Sequence, residues 1–454
     1  MQNIYEEIAS LDKRCYDKFG LTEDILMEHA ANGISSYIHN NFAKNSKIII
    51  VCGSGNNGAD GLALARLLHV DYKVSIYYAK KVKSPMAILQ DKRAKNIQVP
   101  ECSKITSCDI LVDAIVGTGF SGTLNDKFKK LISKMNNTKA FKIACDIPSA
   151  YIFKADITLT MGALKKSMFL DNAKDFIGEV KVLNLGISRK IYEKESNYKL
   201  LDLEDLELPY RNKKDSHKGT YGHLAIALGD KSGASIISAL AAFKFGAGLV
   251  SLVGYRESHI PHTIMASPSV PNTTTALALG MGLVNEFNEI EIGNFLNHNL
   301  PLIADADVFS NKIILDILKR KNLVITPHPK EFISLLKLTN LANISIKELQ
   351  KNRFKYVEIF CKKFKNVVLL LKGANVIIAQ NNKLFINPHG SEILAKGGSG
   401  DILSGLIGSL LAQSHEPLSA AINASLTHTK LALNYKGASF SLTPDDLISQ
   451  IGKL

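Results

Sequence analysis

Short runs of β-branched and other apolar residues alternate along the chain with segments whose apolar positions return every three or four residues, separated by polar turns. That alternation predicts parallel α/β architecture. In the first half the strand candidates are KIIIVC (47–52), KVSIYY (73–78), DILVDAIV (109–116), KIACDI (142–147), ITLT (157–160) and VKVLNLG (180–186). In the second they are HLAIALG (223–229), LVSLVG (249–254), TALALG (275–280), PLIADA (301–306), LVITP (323–327), VVLLLKG (367–373) and NVIIAQ (375–380). LALARLL (62–68) has the spacing of an amphipathic helix, and so do the apolar positions that begin at Ile402.

With 454 residues and 46% hydrophobic content the chain is long enough for two cores. The polar stretch LPYRNKKDSHKG (208–219) marks the linker, and we place the domains at 1–204 and 205–454. Apolar runs such as IIIVC are strand-length, so no membrane span is expected. The start MQNIYEEIASLDKR lacks the basic and apolar regions of a secretory signal, and a cytoplasmic protein is expected. Six scattered cysteines without a C-x-x-C pair read as reduced, mostly buried thiols. The net charge of +13 permits nucleic-acid binding, but the lysines are dispersed, and a field that attracts polyphosphate substrates explains the charge at least as well. We expect no nucleic-acid partner and no membrane partner.

VCGSGNNGADG (51–61) lies between a strand and a helix, the context in which glycines let backbone N–H groups approach a pyrophosphate. A simple glycine-rich turn fits the pattern equally. Two features point away from hydride transfer. No acidic residue follows the second strand to bind a ribose, and the loop carries Asn56, Asn57 and Asp60 where small residues are usual. Further polar groups end other strands: Asp113 and the Gly117–Gly119 loop, then Asp146 and Ser149. Strand carboxyl ends line the crevice of an open α/β sheet, so these groups can converge there, although either aspartate alone could be a cap or turn residue.

NNGADG, DAIVGTGF and DIPSA, followed by TLTMGALK (158–165), together resemble the NAD(P)H-hydrate epimerase domain, a Rossmann-like three-layer fold. The resemblance implies that Asn56, Asn57, Gly58, Ala59 and Asp60, with Gly117, Thr118, Gly119, Phe120, Ser121, Gly122 and Thr123, hold a hydrated dinucleotide. It implies potassium ligation by Asn57, Asp113 and Ser149, acid/base catalysis and substrate contact by Asp146, and a place beside the substrate for Lys165. The family pattern has glycine where Ala59 and Ala150 stand.

In the second half, NPHGSEILAKGGSGDILSGLIGSLLAQ (387–413) delivers Asp401 into the first turn of a buried-face helix behind the turn GGSG. Amides at such a turn form an anion-binding nest, and a carboxylate beside them can take the proton of a hydroxyl that attacks a phosphoryl group. Dipole complementation alone is the plainer use of such an aspartate. The arrangement is similar to the ribokinase-like fold. KGTYGHLAIALG, SGAS, FGAGLVSL, ALGMGL, DAD (305–307), ITPHPKEF and LLLKGANVII resemble its ADP-dependent NAD(P)H-hydrate dehydratase branch. The resemblance implies Asp401 as base on the hydrate and Ala234, Gly282 and His328 as hydrate contacts. It further implies nucleotide binding by Lys372, Gly373, Ala374, Asn375 and Val376 and by Gly398, Ser399 and Gly400. Met281, Val376 and Ser399 depart from the family's proline, threonine and threonine.

The expectation is therefore a bifunctional repair enzyme that acts on hydrated NADH and NADPH, with K+ in the epimerase site and Mg2+ accompanying ADP, assembled as a homo-oligomer. The rival reading is a ribokinase-like small-molecule kinase of the hydroxymethylpyrimidine type with a non-catalytic dinucleotide-binding module in front.

Overall fold

The structure is a computed structural model that describes residues 1–119, 122, 124–254, 259–283 and 289–454. It divides into two compact units, Asn3–Ser196 and Met1–Gln2 with Asn197–Leu454. The polar stretch 208–219 is an exposed connection inside the second unit, and the change of unit falls before it.

In the first unit six parallel strands stand in the order Lys73–Tyr78, Lys47–Cys52, Ile110–Ala114, Phe141–Cys145, Ile157–Met161, Glu179–Leu183. Successive residues of a strand face opposite sides. Ile48, Ile50 and Cys52 accordingly join one core with helices Glu23–Asn41 and Asn56–Leu68, while Ile49 and Val51 join another with Ile132 and Met135 of helix Asp126–Asn136. Both faces are covered, which makes the three layers expected of the sequence. Helix Asn56–Leu68 begins six residues earlier than the apolar spacing placed it, because the asparagines and Gly58 already form its first turn.

The second unit holds the sheet Met265–Ser267, Leu249–Val253, His223–Ala227, Ala276–Leu279, Leu302–Ala304, Leu323–Ile325, Val367–Leu371, Val376–Gln380, Lys383–Asn387, Tyr198–Leu200. Its first seven strands run parallel and Val376–Gln380 turns back antiparallel. The strands Met265–Ser267, Lys383–Asn387 and Tyr198–Leu200 are additions to those read from the sequence. Helix Ser399–Ala412 is apolar and buried on nearly every side and packs against helices Ser232–Lys244 and Pro417–Asn434 on one face. Between helices Pro329–Leu338 and Arg353–Lys363 the rings of Phe332 and Phe360 meet edge-on at 5.8 Å. Among the described residues no helix is long and apolar enough to cross a membrane. All six cysteines are free, five of them buried.

Candidate functional sites

In the first unit the turn after strand Lys47–Cys52 requires glycine at two points, one against the end of the neighbouring strand and one against the turn's own backbone. A Cβ on Gly53 would stand 1.8 Å from the Ile115 carbonyl oxygen, and one on Gly58 would stand 2.2 Å from that of Gly53. Only bare backbone lets the turn close so tightly. The turn opens onto a cavity of about 660 Å3, lined among others by Asn56, Asn57, Asp60, Gly117–Gly119 and Asp146.

Asn57 is buried, and neither its Oδ1 nor its Nδ2 has a protein partner. An unsatisfied buried amide is costly, so this one suits an oxygen-seeking ligand or cation. Asp113 is fully buried at its strand end, where its Oδ1 accepts from Ser149 Oγ at 2.7 Å and its Oδ2 from the Ser149 amide at 2.8 Å. Burial pushes its carboxyl up to about 6, against the lowering effect of those bonds. Ser149, Asn57 and Asp113 supply hydroxyl, amide and carboxylate oxygens, the donor chemistry that a potassium ion would use. Among the described residues no group of three or more His, Cys, Asp or Glu is placed to hold a metal.

Asp146 is held at φ 71°, a conformation that non-glycine residues rarely adopt and that is often found at functional sites. Its Oδ1 accepts from the buried ammonium of Lys165 at 2.6 Å, and Lys165 also donates to Thr160 Oγ1 at 2.7 Å. A Cβ on Gly117 would lie 3.4 Å from Asp146 Oδ2 and 3.5 Å from Asn57 Cβ, so these three residues adjoin. Asp60 lies deep in the same cavity, where burial and then the charge of Asp146 raise its carboxyl well above the ordinary range. Asn56, by contrast, is exposed and donates to Glu23 at 2.6 Å. Ala59 is a buried helical residue, and Ala150 takes φ 52°. Phe120, Ser121 and Thr123 lie outside the described residues; Gly122 is exposed.

In the second unit Gly398 at φ 88° starts the helix Ser399–Ala412, where a Cβ would meet Pro444 at 2.5 Å. Asp401 follows in the first turn. Burial and then the charge of Asp305 push its carboxyl up to about 6, with Lys372 opposing. Lys372 reaches over the turn, since a Cβ on Gly400 would stand 3.3 Å from its Nζ. Ser399 Oγ lies 3.1 Å from Nε2 of His428, whose pKa burial lowers to about 4. Ala234 and Gly282 adjoin, with a Cβ on Gly282 placed 3.2 Å from Ala234 Cβ.

His328 caps helix Pro329–Leu338: its Nδ1 accepts from Lys330 N at 3.1 Å, and its Nε2 stands 3.1 Å from Glu331. Gly373 and Ala374 are exposed, the Asn375 carbonyl accepts from Arg353 at 3.0 Å, and Val376 packs on the core.

Sequence reasoning passed over Asp12, a cavity-lining carboxylate that accepts from Tyr192 OH at 2.7 Å, and also Asp305, Ser404, Arg353 and His428. The motif DAD contained Asp305; for Arg353, which clamps the loop after Leu371 by its carbonyls, no local signal exists.

Fold and sites define a two-unit α/β protein with a polar-lined cavity of about 660 Å3 in one unit and a glycine-rich turn beside a half-buried carboxylate in the other. Residues 23–167 match the family described as YjeF-related protein N-terminus, and residues 224–453 match the family described as NAD(P)H-hydrate dehydratase. The bifunctional NAD(P)H-hydrate repair enzyme Nnr of Helicobacter pylori is 43% identical, with 100% of each chain covered. That of Coxiella burnetii is 31% identical over 94% of this chain and 93% of its own. A solved ADP/ATP-dependent NAD(P)H-hydrate dehydratase from Bacillus subtilis, co-crystallized with ATP/Mg2+, is 26% identical, covers 54% of this chain and 92% of its own, and has a TM-score of 0.45. The chain belongs to the family of bifunctional NAD(P)H-hydrate repair enzymes.

Proposed function

We propose that the two activities divide at about residue 204, residues 1–204 interconverting the R and S hydrates of NADH and NADPH and residues 205–454 dehydrating the S hydrate at the expense of ADP. The observation that carries this reading is the Gly398–Asp401 turn, a nest of amides beside a half-buried carboxylate in a chain matched end to end by repair enzymes.

Asp401 takes the proton of the ring 6-hydroxyl as that oxygen attacks the terminal phosphoryl of ADP. The new O–P bond replaces the bridging O–P bond, and AMP leaves. The nitrogen lone pair then expels phosphate from the ring carbon and a proton leaves the neighbouring carbon, which restores the dihydronicotinamide. Gly398, Ser399, Gly400 and the Lys372–Val376 loop hold the nucleotide, which brings Mg2+ with it, while Ala234, Gly282 and His328 border the hydrate. Since both ring nitrogens of His328 serve its helix cap, its contact with substrate requires that cap to open or its backbone to serve.

In the first unit Asp146 takes the proton of the hydrated carbon's hydroxyl as the bond from that carbon to the ring nitrogen opens, the bond pair passing to the nitrogen and the oxygen becoming a carbonyl. The nitrogen then re-adds to the other face of that carbonyl and the proton returns to the oxygen, while Lys165 fixes the carboxylate and its charge. Asn57, Asp113 and Ser149 would hold potassium, whose charge would offset that of the incoming pyrophosphate. The Asn56–Asp60 turn and residues 117–123 embrace the dinucleotide. A cytoplasmic homo-oligomer completes the proposal.

Incubation with mixed hydrates, Mg2+ and ADP, followed by dihydronicotinamide absorbance, tests it. Asp401→Asn abolishes recovery; Asp146→Asn slows only the R-derived fraction towards its spontaneous rate. Normal recovery by Asp401→Asn sinks the mechanism, and a stable phosphorylated product made from ATP favours the kinase reading instead.

A further inference from the structure

Asp305 has no role in the dehydration just described, yet it is the most deeply buried carboxylate of the second site, with 1% of its surface exposed. Both its oxygens are committed. Oδ1 accepts from Lys372 Nζ at 2.6 Å and Oδ2 from Ser404 Oγ at 2.7 Å. Ser404 stands one helical turn beyond Gly400, to whose carbonyl it also donates at 3.1 Å, so the carboxylate is bolted to the helix that carries Asp401. Lys372 is thereby parked over the Gly398–Asp401 turn, its Nζ 3.3 Å from where a Gly400 Cβ would be. A buried carboxylate fixed on one side by a hydroxyl can hold an ammonium at a set point without moving itself.

We propose that Asp305 is a positioning residue: it is the resting counter-ion of Lys372, holding the ammonium over the glycine turn until a terminal phosphoryl oxygen of the nucleotide shares it. The inference rests on the dehydratase reading. Ammonium and carboxylate remain paired in the absence of nucleotide, so no bare charge is left in a half-closed site. When phosphate oxygens arrive at the turn, the ammonium bridges Asp305 and the phosphoryl, and neutralises charge where it accumulates during transfer.

Dehydration requires Asp401 ionised, so the wild-type rate rises as pH climbs through about 6 and levels above it. Asp305 and Asp307 hold that limb up and Lys372 draws it down; His328, Glu331 and His428, which also face Lys372, are the other titrating groups at the site.

The test uses the full chain, with KM for ADP and the pH profile of hydrate dehydration as readouts. In Asp305→Asn the ammonium loses its anchor and Asp401 loses a negative neighbour. KM for ADP rises by on the order of tenfold, and the acid limb moves down by at least about half a pH unit. Ser404→Ala removes the anchor but keeps the charge, so KM rises by about threefold or more while the limb stays in place. A purely structural role would move neither the limb nor KM selectively, and unchanged values in Asp305→Asn overturn the inference. If Asp305→Asn does not fold, Ser404→Ala decides: an unchanged KM, or a limb displaced with it, overturns the inference. Failure of the wild type to recover dihydronicotinamide with ADP would instead overturn the dehydratase reading.

Discussion

At the scale of single residues, the first site stores strain that its sequence half discloses. Asp146, Ala150 and Tyr151 all sit at positive φ within six positions of one another, where L side chains crowd the following carbonyl. For Asp146 the strain aims a carboxylate at Gly117 and Asn57, and its contacts with Lys165 and the Met161 amide hold it there. Ala150 supplies no such contact; it is exposed and stands where the family pattern has glycine. Ala150→Gly therefore relieves a conformational cost of roughly 1–2 kcal/mol, partly offset by the greater freedom of glycine in the unfolded chain. The net gain is about 0.5–1 kcal/mol, read as a rise of roughly 1–3 °C in Tm. An unchanged or lowered Tm would show that the turn itself demands an alanine methyl. The motif around Ala150 was legible as a resemblance, but the positive φ was not, because no local pattern distinguishes a strained alanine from a relaxed one.

At the scale of elements, strands were read almost residue for residue where their burial is two-sided, as in Lys47–Cys52 and Ile157–Met161. The additions, Lys383–Asn387 and Tyr198–Leu200, are short or partly exposed strands whose pairing partners lie far away or run antiparallel, so their own residues carry little signal. The start of helix Asn56–Leu68 was read late for a physical reason. Asn56, Asn57, Gly58 and Gly61 are poor helix formers, and tertiary packing against the sheet overrides their propensity. The same packing separates two glycines that look equivalent in sequence. Gly58→Ala drives a methyl into the Gly53 carbonyl, so despite better helix propensity it destabilises the first unit by about 1–3 kcal/mol and removes epimerisation of the R hydrate. Gly55→Ala, with nothing within 4 Å of the added Cβ and an extended backbone, changes stability by less than about 0.5 kcal/mol. Thermal melts of the two variants check the contrast, and equal losses would mean that the turn, not the close approach, selects glycine.

At the scale of the whole molecule, order along the chain carried more information than any one motif. The two glycine turns, 53–58 and 398–400, are alike in composition, yet one opens a cavity holding an unsatisfied amide and the other presents a half-buried carboxylate beside a lysine. The flanking residues decided this, Asn57 in the first case and Asp401 in the second. The third partners were harder to read: Asp305 lay in a quoted motif without a role, and Ser404 and Arg353 reach their sites only through tertiary packing. The side-chain pairs Asp146–Lys165 and Asp305–Lys372 each lie within one unit, so under the proposed function each chemical step is complete in one unit. The only thing that must travel from one to the other is the S hydrate, a stable molecule. An equimolar mixture of Asp146→Asn, which retains dehydration, and Asp401→Asn, which retains epimerisation, therefore recovers dihydronicotinamide from the R hydrate faster than either variant alone, at a rate that approaches the wild type as enzyme concentration rises. A mixture no faster than Asp146→Asn alone would require that the two active sites share one chain, because the hydrate released by one molecule would then never reach the next.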